Sequence, residues 1–136
     1  MADDGGLSKF QKRMKAIPKA AREAVQPALA TGGYEIQEAM ERLAPEDTGD
    51  LVGSIAVTLP GHATPPYSMP GGSYVVPENQ VAVTAGNTDV RYAHLVEYGT
   101  RLAPAKPFFW PGFRIARKRA ENRVKRAISK AIREAR

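Results

Sequence analysis

Residues 51–86 read LVGSIAVTLPGHATPPYSMPGGSYVVPENQVAVTAG, and how this stretch divides decides the fold. Its first part, LVGSIAVTL, places Leu51, Ile55, Val57 and Leu59 at odd positions with small or polar residues between, a partial alternation that predicts a strand. Its last part, QVAVTAG over 80–86, is β-branched with the same period of two, so the two segments are expected to pair antiparallel. Between them, residues 60–77 hold five prolines (Pro60, Pro65, Pro66, Pro70, Pro77) together with Gly61, Gly71 and Gly72. Proline supplies no ladder donor, so this middle part is read as a long protruding loop, either disordered or offering Tyr67, Met69, Tyr74, Val75 and Val76 to a partner.

Both flanks are helical by pattern. Leu7, Phe10, Met14, Ile17, Ala21, Ala24 and Ala28 recur at steps of three and four, with Ser8 and Gln11 spaced as a capping box. Pro18 predicts a break near Ile17, giving a short helix and then a longer one, and the periodicity resumes after Gly32–Gly33 at Ile36, Ala39, Met40 and Leu43. A bend is expected at the two glycines. Helix stops at Ala44-Pro45 and gives way to a turn at Glu46 to Asp50. On the other side, residues 91–98 (RYAHLVEY) predict a short helix stopped by Gly99, and residues 100–107 an extended segment. Phe108, Phe109 and Trp110 precede Pro111, a favoured first residue for a last helix carrying the stripe Phe113, Ala116, Ala120, Val124, Ala127, Ile128, Ala131 and Ala135. The fold expected is α+β: N-terminal helices, an antiparallel β-hairpin with a protruding loop, a short helix and a long C-terminal helix. The chain reads as one domain over 1–136, with a flexible N-terminus at 1–6 and a helix end at 126–136 that projects.

The 136 residues carry a net charge of +6, but the excess is uneven. From Phe113 to Arg136 ten Lys or Arg face only Glu121 and Glu134, leaving the remainder slightly acidic. Such a tail is either a solvated helix face or a surface for an anionic partner. There is no cysteine, which excludes a disulfide framework, a thiolate metal site and a thiol nucleophile. Apolar runs are too short for a membrane span, and no secretory signal is expected. His62 and His94 form no metal-binding pattern, the row Glu35, Glu38, Glu41 reads as a solvated face, Ser54 has no partnering base, and no phosphate-binding glycine pattern occurs. Neither catalysis nor a cofactor is expected.

The order of motifs resembles a known family. Leu43-Ala44-Pro45, Asp47-Thr48-Gly49 with Leu51 and Ser54-Ile55, a strand pair, Tyr92-Ala93, Val96-Glu97-Tyr98-Gly99-Thr100, and Pro104-Ala105-Lys106-Pro107-Phe108 with Pro111 together look like the HK97 gp10-like family of tailed-phage neck and tail-completion proteins, over roughly residues 6–125. Gly112 stands where that pattern leads one to expect alanine. The resemblance implies a non-enzymatic subunit of the head-to-tail joint of a phage, prophage or gene transfer agent particle. Such a subunit forms a ring, of six copies, at the top of the tail tube. It would assemble in the bacterial host cytoplasm, reside in the virion, and contact itself, neighbouring neck proteins on the stopper or adaptor side, the tail terminator or tail tube protein, and DNA in the channel, with no membrane.

On these readings Thr48, Gly49 and Gly99 are structural turns. The candidate contact residues are Tyr67, Met69, Tyr74, Tyr92, Glu97, Tyr98, Thr100, Pro104, Phe108, Phe109, Arg123 and Arg126. For Phe108 and Phe109 the alternative is an ordinary place in the chain's own core. Competing functions are a tail terminator capping the tube and, from another class, a small basic nucleic-acid-binding protein using the last helix, although aromatic residues are not interleaved with its basic ones.

Overall fold

The structure, a computed structural model, describes residues 8–9, 12, 18–46 and 49–134. Of the expected first short helix only Ser8, Lys9 and Lys12 are described, and all three are helical; the rest of that helix with Gln11 of the capping box, the flexible 1–6 segment, the turn residue Thr48 and the last two residues of the chain lie outside the described residues.

Helix α1 runs Lys19–Leu43. Pro18 is its N-cap, with extended backbone, and its carbonyl accepts the first helical bond from the Arg22 N–H. The helix ends at Ala44, held extended by the following Pro45. It is continuous through Pro27 and through Gly32–Gly33. The glycines serve close packing: a Cβ on Gly32 would stand 3.2 Å from Ala120 Cβ, and one on Gly33 only 2.9 Å from Val81 Cγ1 and 3.1 Å from Val57 Cγ1.

The last helix, α4, spans Phe109–Glu134, starting two residues before Pro111. At about 1.5 Å per residue it is near 39 Å long. It lies antiparallel to α1 along that length: Gly112 against Met40, Ala120 against Gly32, and Val124, Ile128 and Ala131 in one cluster with Val25 and Ala21. The α4 stripe Gly112, Ala116, Ala120, Val124, Ile128 is buried at every position, and its small residues let the backbones approach. The expected projecting end is therefore corrected as far as the described residues go, since Ile128 is 0% and Ala131 4% exposed against the start of α1. Length alone suggested overhang; α1, at 25 residues against 26, proves nearly as long. The Gly112 departure also has a cause. A Cβ there would meet Met40 N and Cα at 2.8 Å, so alanine does not fit without moving a backbone.

Between the long helices the chain forms the helical turn α2 (Asp50–Gly53), strand β1 (Ala56–Thr58), strand β2 (Ala82–Thr84) and the short helix α3 (Ala93–Tyr98). β1 and β2 pair antiparallel with Val57 opposite Val83. The strand expected from Leu51 thus begins five residues later. Gly49 at φ +80° turns the chain into a helical turn, and Ser54 closes it by donating its hydroxyl to Leu51 O at 2.7 Å. Leu51 and Ile55 are four apart, a spacing that serves one helical face as well as alternate strand positions, and both are buried.

Residues 60–77 are ordered by their own bonds. The Gly61 N–H donates to Val76 O and the Val76 N–H to His62 O, both at 2.9 Å, and Thr64 Oγ1 donates to Gly72 O and accepts from the Tyr74 N–H. The tip then folds back, where Met69 and Ala85 exchange both backbone bonds at 2.8 and 3.1 Å. Two clusters make the core. The larger joins Met40, Ala44, Leu51, Ile55, Met69, Ala85, Val90, Ala93, Phe108 and Phe109; the smaller joins the far ends of α1 and α4.

Candidate assembly surface

An N-terminal helical turn leaves backbone N–H groups without partners, which a side chain near the first residue usually satisfies. α4 has no such residue at its start, where Pro107 and Phe108 stand. The acceptor comes from α3 instead. Glu97, 4% exposed, takes the Phe108 and Phe109 N–H groups on Oε1 at 2.8 Å each and the Trp110 N–H on Oε2 at 3.3 Å. A carboxylate here also meets the positive end of the helix dipole. Phe108, fully buried, begins an edge-to-face series through Phe109, Trp110 and Phe113, with centroids 6.4, 4.9 and 6.1 Å apart. The Trp110 indole N–H donates to Tyr98 Oη at 2.8 Å.

Residues 100–107 form an arm held at both ends by this assembly. Gly99 leaves α3 at φ +77°, where a Cβ would lie 2.6 Å from Ala105 N. The Lys106 N–H donates to Val96 O at 2.8 Å, and Thr100 Oγ1 accepts from the N–H groups of Leu102 and Ala103. Every residue from Arg101 to Pro107 is exposed, Leu102 to 95%. Leu95, Tyr92 and Tyr98 are exposed on α3 and its N-cap.

The candidate contact residues therefore divide. Tyr92, Tyr98, Thr100 and Pro104 face solvent around the arm; Glu97, Phe108 and Phe109 lie beneath it and hold it in place. Of the loop residues, Tyr67 and Tyr74 are exposed, with the Arg91 guanidinium 3.9 Å over the Tyr67 ring centre. Met69 is corrected. Expected to offer contact area to a partner, it is only 8% exposed, because pairing with Ala85 draws it into the chain's own core. Arg123 and Arg126 stand far along α4. Arg123 is ion-paired with Glu35, toward which Arg119 also points at 3.8 Å, so Glu35 is a helix-bridging acid rather than part of a solvated row; Arg126 is exposed.

His62 and His94 are exposed, and among the described residues no group of His, Cys, Asp and Glu could hold a metal ion. Ser54 is structural, accepting the Gly86 N–H at 3.0 Å. No helix among the described residues is long and apolar enough to cross a membrane. Sequence reading did not single out Leu102, although an apolar residue flanked by arginine and alanine in a proline-rich segment is a visible signal. It gave no hint of the Glu97 cap, which joins positions eleven residues apart through folding alone.

Comparison with known proteins agrees with the motif order. No curated protein and no solved structure matches the chain. One family model does, described as "Bacteriophage HK97-gp10, putative tail-component", over residues 8–99. The match takes in α1 to α3 with Gly99 and stops short of the arm and α4. With well over half of its length covered, the chain belongs to the HK97-gp10-like family of bacteriophage tail components.

Proposed function

We propose that this tail component is a non-enzymatic, cofactor-free subunit of the head-to-tail joint, forming a ring of six copies at the top of the tail tube. The observation that supports this most directly is the arm at 100–107. It is exposed along its length, carries one almost fully exposed leucine, and is fixed at its base by the Glu97 cap and the Gly99 turn. An apolar side chain presented on a rigid mount suits a contact with a neighbouring subunit, because little ordering entropy opposes docking. A contact between two different faces of identical subunits, repeated by rotation, closes into a ring. The ring would meet a stopper or adaptor protein on the head side and the tail terminator or tail tube on the other, with double-stranded DNA passing its channel. Particles made without this chain test the reading by electron microscopy. Filled heads and finished tails lying unjoined are the expected outcome; joined, DNA-delivering particles would overturn it.

A further inference from the structure

α4 carries a regular basic row that core packing does not require. Arg119, Arg123, Arg126, Lys130 and Arg133 follow one another at four, three, four and three residues. At 3.6 residues per turn they fall in a stripe about 80° wide and about 21 Å long. Like charges three and four residues apart weaken a helix unless something opposes them. Among the described residues only Glu35 does, reaching Arg123 and, at 3.8 Å, Arg119. Among the described residues no ion pair reaches Arg126, Lys130 or Arg133, although Glu134 is near in sequence. α1 offers nothing at that level either: its one acid before Glu35 is Glu23, two residues and about 200° of rotation from the buried Val25 that faces α4.

We infer that this stripe binds the phosphates of double-stranded DNA without regard to sequence. Four of the five cations are arginines, whose planar fork suits a phosphate's paired oxygens. A duplex presents a continuous row of charge, one per about 1.7 Å of axis, which a straight cationic row can track. A second copy of this chain is a poorer match, since the exposed acids among the described residues, Glu23 and Glu38 on α1, Glu46, Asp50, Glu78 and Asp89 between the long helices and Glu134 at the end of α4, are scattered rather than aligned. Phosphate contacts carry no base information, so the binding is indifferent to sequence. The inference rests on the head-to-tail reading only for where the duplex comes from.

The test is fluorescence anisotropy of the purified chain with labelled duplexes of about 25 base pairs in two unrelated sequences, titrated with NaCl. Equal binding of both is expected, with log K falling linearly in log salt. R126Q/K130Q/R133Q should keep the parent's circular-dichroism melt and lower that slope by about 2.7. K118Q/K125Q, on a different side of α4, should leave the slope nearly unchanged; a loss per charge equal to that of the triple variant would overturn the stripe in favour of diffuse charge. No duplex binding at about 50 mM salt, or an unaltered slope in the triple variant, would overturn the inference. So would binding of polyglutamate alone, abolished in the triple variant, which would assign the stripe to an acidic protein surface. Each of these results leaves the head-joining test untouched, and joined particles lacking the chain would leave the binding curves untouched.

Discussion

Two proline-rich segments meet opposite fates in this fold. Residues 60–77 hold five prolines and residues 100–107 two, and the residue types of both favour irregular backbone. The first is bonded to itself and to Ala85, just past β2, and it buries Met69 and Val76. The second is fixed at its base and otherwise exposed. Proline content therefore reports where regular structure stops. Exposure is decided by where the backbone groups find partners and whether an apolar side chain can reach the core.

The largest effect that could break this comparison comes from excising residues 61–76 in favour of a short turn. A freely protruding loop would be removable with no change in the folded subunit. The observed loop would not, because excision removes buried Met69 and Val76 at about 1.5–3 kcal/mol each and both Ala85 bonds at about 1 kcal/mol each. Against a typical stability of 5–15 kcal/mol, a loss of about 5 kcal/mol leaves a chain largely unfolded when warmed. Met69→Ala alone should cost about 2–4 kcal/mol. Thermal melts followed by circular dichroism decide it; a parental melt for the excision would return the loop to solvent.

Next in size is the base of the arm. Glu97→Ala leaves the buried Phe108 and Phe109 N–H groups without an acceptor, a loss of about 3 kcal/mol in urea unfolding, whereas Glu97→Gln retains one acceptor and should lose about 1. Equal, small losses for both would mean that water replaces the carboxylate. Gly99→Ala follows, at about 1–3 kcal/mol, because φ +77° disfavours any side chain and the new Cβ would press on Ala105. If it melts like the parent, the arm's exit is not fixed by that glycine.

Much of this plan was legible in the sequence because it rests on local periodicity. The long helices, the strand pair, the short helix and the Gly49 and Gly99 turns each follow from a spacing or a residue type within one window. What was not legible depends on residues distant along the chain. Gly112 must be glycine because of Met40, 72 positions away, and Glu97 becomes a helix cap only once the arm has folded back. Leu51 and Ile55 fit a helical turn and a strand equally well, and Gly49 decides between them. In the candidate surface, which of the residues named from the sequence lie beneath the arm and which face out could not be read without the tertiary contacts.

The smallest stability effect is the most informative about function. Leu102 is 95% exposed, so replacing it touches nothing that holds the monomer together. Leu102→Asp should leave urea stability within about 0.5 kcal/mol of the parent, as exposed substitutions usually do. The arm's Thr100 bonds use the backbone N–H groups of Leu102 and Ala103, which the substitution keeps. Assembly should respond quite differently. A charge in place of an apolar anchor would have to be desolvated on docking, so light scattering should show monomers where the parent forms rings, and particles carrying the variant should accumulate unjoined heads and tails. The matching change in the other segment, Val75→Asp at an exposed position of the loop, should disturb neither measurement if the arm is the contact. Rings that persist with Leu102→Asp and are lost with Val75→Asp would reverse the comparison, assigning subunit contact to the well-bonded loop and leaving the arm as mere surface.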